Sequence, residues 1–125
     1  LAFLQNAFLL GAEENNRARI SAICSNDFDF TPKFYETALL TAALHGSYEV
    51  VEVLFMKKSD KIHASSVRGA LSIAADNGYT KIMRELLTKR SDILSRHIVG
   101  IFTLTSNHKV IKLFLEYRTD IPMQG

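Results

Sequence analysis

Cysteine occurs once in the chain, at Cys24. A single thiol can form neither an internal disulfide nor a zinc site built on paired cysteines, and it reads as a small buried core residue. Long apolar runs are missing too. None reaches the roughly 18 residues of a membrane span, so no membrane partner is expected. No basic stretch precedes an apolar one at the start, so no secretory signal is visible. Because the chain opens on Leu1 rather than Met, it reads as a segment of a longer protein. Net charge is small at +2, too little to argue for nucleic acid by itself. There is no glycine-rich phosphate loop, no H-E-x-x-H and no G-x-S-x-G.

The four histidines, His45, His63, His97 and His108, have no carboxylate or cysteine at ligand spacing. Glu13 and Glu14 are adjacent, which on a helix points them about 100° apart, a surface helix end rather than an acid/base pair. Asp27 and Asp29 lack further ligands for a cation. The expectation is therefore no catalytic residue, no cofactor, no metal and no small-molecule substrate.

What is present is enough apolar material for a core. With 47% apolar and 22% charged residues in 125, the chain has the make-up of one folded domain rather than of a disordered segment. Its charge is unevenly spread. Residues 1–56 hold 3 basic and 7 acidic side chains, and residues 57–125 hold 12 and 6. Such a distribution describes either solvated faces or a dipolar surface that prefers a dipolar partner. Lys57-Lys58 and Lys89-Arg90 close helical patterns, where positive charge suits a helix C-terminus. No aromatic interleaves with them, which argues against nucleic acid.

The strongest signal is repetition. Thr37-Ala38-Leu39-Leu40-Thr41-Ala42-Ala43-Leu44-His45-Gly46 aligns with Gly69-Ala70-Leu71-Ser72-Ile73-Ala74-Ala75-Asp76-Asn77-Gly78. Tyr48, Val50, Val51, Leu54 and Phe55 then align with Thr80, Ile82, Met83, Leu86 and Leu87, and both copies reach Ser-Asp at Ser59-Asp60 and Ser91-Asp92. More worn copies begin near Ala7 and His97. The chain thus divides into units of about 7–36, 37–68, 69–96 and 97–125 within one domain spanning 1–125, each unit predicted to be a helix pair. Leu71, Ala74 and Ala75 share one helical face, and the alanines let helices approach closely. Gly46 and Gly78 suit the positive φ that often ends a helix. Leu54 and Leu86 are predicted core residues. Turns are expected at 57–67 and 90–96, and a longer irregular connector at 25–36. The very apolar last unit predicts that further repeats or a capping segment follow Gly125, since terminal repeats normally show a polar outer face.

These units resemble the ankyrin repeat, whose consensus reads roughly T-P-L-H-x-A-A-x-x-G before an apolar second helix. Thr37 keeps the threonine, Ala38 replaces the proline, and Leu40 and Ser72 replace the histidine. The resemblance implies an all-α, ankyrin-type solenoid of stacked helix–turn–helix repeats with short or missing β-hairpin fingers. It also implies a non-enzymatic interaction module that binds another protein through the concave face. Carried over position by position, partner-binding residues are Leu44, His45, Asp76 and Asn77 at first-helix ends, with Glu14-Asn15 and Leu104-Thr105 as weaker counterparts. In the fingers they are Lys33, Phe34, Glu36, Ser65, Ser66, Arg68 and Arg96. Phe34 and Tyr35 either supply aromatic anchors or, together with Phe28 and Phe30, tuck the connector onto the stack. A second reading makes the chain a recruiting or regulatory domain of a larger enzyme or secreted effector. Worn repeats of this kind occur in eukaryotic scaffolds and in secreted bacterial proteins acting inside host cells. Both settings are intracellular, and no residue separates them.

Overall fold

The computed structural model describes residues 2–25, 29–89 and 112–113. Six helices follow one another in the first two of these stretches: α1 (Ala2–Glu14), α2 (Arg17–Cys24), α3 (Pro32–His45), α4 (Tyr48–Lys57), α5 (Ala64–Asn77) and α6 (Thr80–Lys89), with a 3-10 turn at Ser59–Lys61 between α4 and α5. Among the described residues there is no strand.

Each pair closes through the same turn. Gly46 and Gly78 take left-handed backbone with φ of 70° and 72°, and Asn15 does so with φ of 54°. The residue after each turn returns its N–H to a carbonyl five positions back: Asn16 to Gly11 at 2.9 Å, Ser47 to Ala42 at 2.8 Å and Tyr79 to Ala74 at 2.9 Å. This satisfies carbonyls that a helix end otherwise leaves open. Gly46 carries a second constraint, since a Cβ there would lie 3.0 Å from the Tyr79 ring.

The first helices pack side by side, α1 on α3 and α3 on α5, and the second helices form a parallel row, α2 on α4 and α4 on α6. Small residues make this spacing possible: Ala38, Ala42, Ala43, Ala70, Ala74 and Ala75 are all fully buried. Leu39, Leu54, Leu71 and Leu86 fill the space between layers, also fully buried, and Cys24 lies in the same core. Leu113, in a short helical stretch, is buried in that core too. Of the sequence-stripe residues, Leu87 is only partly buried.

Three expectations change. The connector expected over 25–36 ends at residue 31, because Thr31 caps α3 by accepting the Phe34 N–H at 3.3 Å and Pro32 occupies the first helical turn, where proline costs no hydrogen bond. The turn expected over 57–67 ends at His63, whose extended backbone precedes α5. These two earlier helix starts leave Thr37 and Gly69 five residues inside α3 and α5, and Ala7 lies as deep inside α1. Third, the left-handed residue at Asn15 sets the register of the first pair. It aligns Glu13-Glu14, not Glu14-Asn15, with Leu44-His45. The turn at 90–96 and the fourth unit, including Leu104-Thr105, lie outside the described residues apart from Lys112 and Leu113.

The aromatic connector residues belong to the core. Phe8, fully buried, meets Phe30, Phe34 and Tyr35 edge-on at centroid distances of 5.6, 5.4 and 6.2 Å. Tyr35 uses its hydroxyl twice, accepting from the Phe30 N–H and donating to Asp29, each at 3.2 Å. Asp29 also accepts from Lys58 at 2.5 Å and lies 3.9 Å from Lys61. These hydrogen bonds and charges hold its carboxyl below the usual carboxylate range. It therefore clamps the connector to the end of α4 and is already engaged by two ammonium groups. Asp27 and Phe28 lie outside the described residues.

Candidate functional site

The first helices present one continuous face that no described element covers. Counting back from the left-handed residues Asn15, Gly46 and Gly78, equivalent positions fall into rows across α1, α3 and α5. One row is Leu10, Thr41 and Ile73, and the next toward the helix C-termini is Glu13, Leu44 and Asp76. Leu10 is 46% and Leu44 55% exposed. Thr41 and Ile73 are partly exposed, and Glu13 and Asp76 exposed. Leu44 stands out chemically, because its neighbours Ala42 and Ala43 are fully buried.

The expected site residues fall at opposite ends of this face. Leu44, His45, Asp76 and Asn77 come together at the C-terminal ends of α3 and α5. There His45 Nδ1 lies 2.9 Å from the Thr41 carbonyl, and Asn77 donates to the Ile73 carbonyl at 2.8 Å. These two polar side chains fold back on their own helices and leave Leu44 uncovered. Lys33, Phe34, Glu36, Ser65, Ser66 and Arg68 are not fingers. They occupy the first two turns of α3 and α5, since α3 starts directly after the Thr31 cap and α5 directly after His63, which makes no side-chain capping bond. At about 1.5 Å per residue, Lys33 stands roughly 16 Å along the helix from Leu44. Phe34 packs 4.4 Å from Phe30 as well as against Phe8, so it serves the core. Arg96 lies outside the described residues.

The repeat alignment contains Thr41 and Ile73 without assigning them to the face, and it misses Leu10 and Glu13. The signal that finds these two is Asn15, a residue type that tolerates positive φ and sits where the other copies carry glycine. Asn15 has a second task. Its Oδ1 accepts from the N–H groups of Glu49 and Val50 at 3.0 and 3.3 Å, capping α4 across the junction between pairs. Ser47, at the N-cap position of α4, makes no side-chain capping bond. Replacing Asn15 by alanine removes the cap and forces a Cβ-bearing residue without a local hydrogen bond into positive φ, an expected loss of about 2 kcal/mol. Asn15→Gly keeps the turn and loses only the cap, about half as much. Denaturant melts of the two variants separate these contributions, and equal losses would refute the division.

The opposite, second-helix surface is a polar ladder. Arg17 pairs with Glu52, Tyr48 donates to Glu52 at 3.4 Å, and Lys81 stands 5.5 Å over the Tyr48 ring. Beside it runs a groove lined by Tyr48, Thr80, Lys81, Arg84, Glu85, Thr88 and Lys89. Glu85 is 8% exposed, and its Oε2 has no hydrogen-bond partner among the described residues. In the two preceding pairs its position is held by Ala22 and Val53. Burial pushes the Glu85 carboxyl up, Lys89 opposing and Glu52 adding to the shift. A raised carboxyl value means that the folded state keeps its proton at a pH where the unfolded chain has released it. Stability is then full below the usual glutamate range and falls as pH rises toward the folded value. Glu85→Gln should therefore raise Tm at about pH 7, with the gain vanishing by about pH 4. A gain of the same size at both pH values would contradict this origin.

Among the described residues no three His, Cys, Asp or Glu side chains gather as a metal site, and no described helix is long and apolar enough to cross a membrane. No curated protein and no solved structure gives a match. The family model for ankyrin repeats, in three copies, matches residues 8–97. Ankyrin repeats are stacked helix pairs that generally serve as protein–protein interaction modules. With three such pairs stacked in two layers and the family model covering most of its length, the chain belongs to the ankyrin repeat family.

Proposed function

We propose that this chain is a non-catalytic module that binds a partner protein through the exposed face of its first helices, centred on Leu44. The observation carrying this reading is the exposure of Leu44 in a helix whose other leucines and alanines are mostly sealed. An apolar side chain held out on a rigid helix end offers burial to a partner at little ordering cost. Leu10, Thr41 and Ile73 extend the surface, with Asp76 and Asn77 beside it on α5. Arg68, Lys33 and Ser65, at the far end of the same helices, belong to the contact only if the partner spans the helix length.

The test compares affinity capture by the wild-type chain with capture by a Leu44→Arg/Asn77→Arg variant. Both positions are exposed, so Tm should change little. A protein held by the wild type and lost from the variant supports the reading. Equal retention by both overturns it and moves the interface away from this face.

A further inference from the structure

The charge around Leu44 narrows the chemistry of what docks there. Helices α1, α3 and α5 lie side by side and reach the left-handed residues Asn15, Gly46 and Gly78 at the same edge. Two carboxylates lie in the row of Leu44: Glu13 on α1 and Asp76 on α5, both exposed. Glu14, next to Glu13, has Arg19 at 3.5 Å. No described lysine or arginine forms an ion pair with Glu13 or Asp76. The row is therefore acid, leucine, acid, with the uncharged Leu10, Thr41 and Ile73 in the row below it.

We infer that the partner is a segment of another protein carrying an apolar side chain between two basic ones, the apolar group seated on Leu44 and the basic groups on Glu13 and Asp76. This rests on the proposed use of the Leu44 face and adds the partner's chemistry to it. Packed helices stand about 8–10 Å apart, so the two carboxylates lie roughly 16–20 Å from one another. An extended segment advances about 3.3 Å per residue with alternate side chains on one face. Basic residues two positions either side of the apolar one span about 13 Å, and their long side chains cover the remainder. Acidic segments and nucleic-acid backbones meet like charge at this edge and are disfavoured.

A display selection of random twelve-residue peptides on the wild-type chain, followed by fluorescence anisotropy of the enriched peptides, tests this. The expected result is enrichment of the pattern basic–x–apolar–x–basic. Leu44→Arg should abolish binding, and Glu13→Lys/Asp76→Lys should weaken it roughly three- to thirty-fold. Added salt should weaken wild-type binding. Peptides lost on Leu44→Arg but indifferent to the charge reversal, or without basic residues, overturn the inference and leave the Leu44 face standing. Peptides that bind Leu44→Arg as well as wild type, or no enrichment at all, overturn the use of the face itself. Concentration-dependent self-association of the wild type that Leu44→Arg removes would make a second copy the occupant and also overturn the inference.

Discussion

Phe8→Ala should cost about 3–5 kcal/mol. Phe8 is fully buried on α1, and three rings from the connector and α3 lean on it edge-on. Truncation removes the transfer energy of one phenyl group and leaves a hole that these rings cannot fill without moving. Tyr35 resists movement because its hydroxyl is tied to the Phe30 N–H and to Asp29, which Lys58 holds in turn. A rigid lining keeps the cavity open, and an open cavity places the loss at the high end of the range. Edge-on ring pairs add roughly 0.5–1.5 kcal/mol beyond area burial. Phe8→Leu refills part of the volume and should recover a large share. Urea melts of the two variants decide this. A Phe8→Ala loss below about 1 kcal/mol would mean that the connector does not hold its rings in place.

Leu54→Ala should lose roughly 2–5 kcal/mol, while Leu44→Ala should change stability by less than about 0.5 kcal/mol. The two leucines occur in neighbouring helices of one pair, and burial alone separates them. Leu54 is fully buried on α4, which packs between α2 and α6, and Leu44 is 55% exposed. Alanine at 54 opens a void among close-packed neighbours on both sides. Alanine at 44 changes only how much apolar surface meets water. A Leu44→Ala loss comparable with that of Leu54→Ala would show that Leu44 is covered in the folded chain, and the proposed surface would have to be abandoned.

Much of the fold was legible because its physics is periodic. Leu39/Leu71, Ala42/Ala74 and Gly46/Gly78 repeat the demands of one helix face and one left-handed turn, and the alignment of those letters gives the second and third pairs directly. Helix starts were less legible. Thr31-Pro32 combines a side-chain cap with a residue suited to the first turn, yet proline inside a polar stretch also reads as connector. Ala64-Ser65-Ser66 carries no apolar period at all, and its helicity follows from what α5 buries later, at Val67 and Ala70. Lys33, Ser65 and Arg68 fall in fingers only when the repeat consensus is carried over, because it places fingers before each first helix. The first pair was harder still. Asn15 does the work of glycine, so matching by glycine slips the register by one residue and leaves Glu13 and Leu10 out of the rows that contain Leu44 and Thr41. Glu85 was illegible in another way, since a charged letter inside an apolar stripe reads as solvent-facing, and only the packing of α6 shows it buried.

The bond from Asn15 to the start of α4 ties the fate of one helix pair to that of the next. If α1 and α2 fray, α4 loses the acceptor for two of its opening N–H groups, and Ser47 supplies no substitute. Loss of the first pair therefore raises the free energy of the second instead of leaving it unaffected. In a linear array whose stability is a sum of unit and nearest-neighbour contributions, a hydrogen bond across a junction belongs to the neighbour part. It sharpens the melting transition and makes partial opening from the N-terminal end a shared event of both pairs.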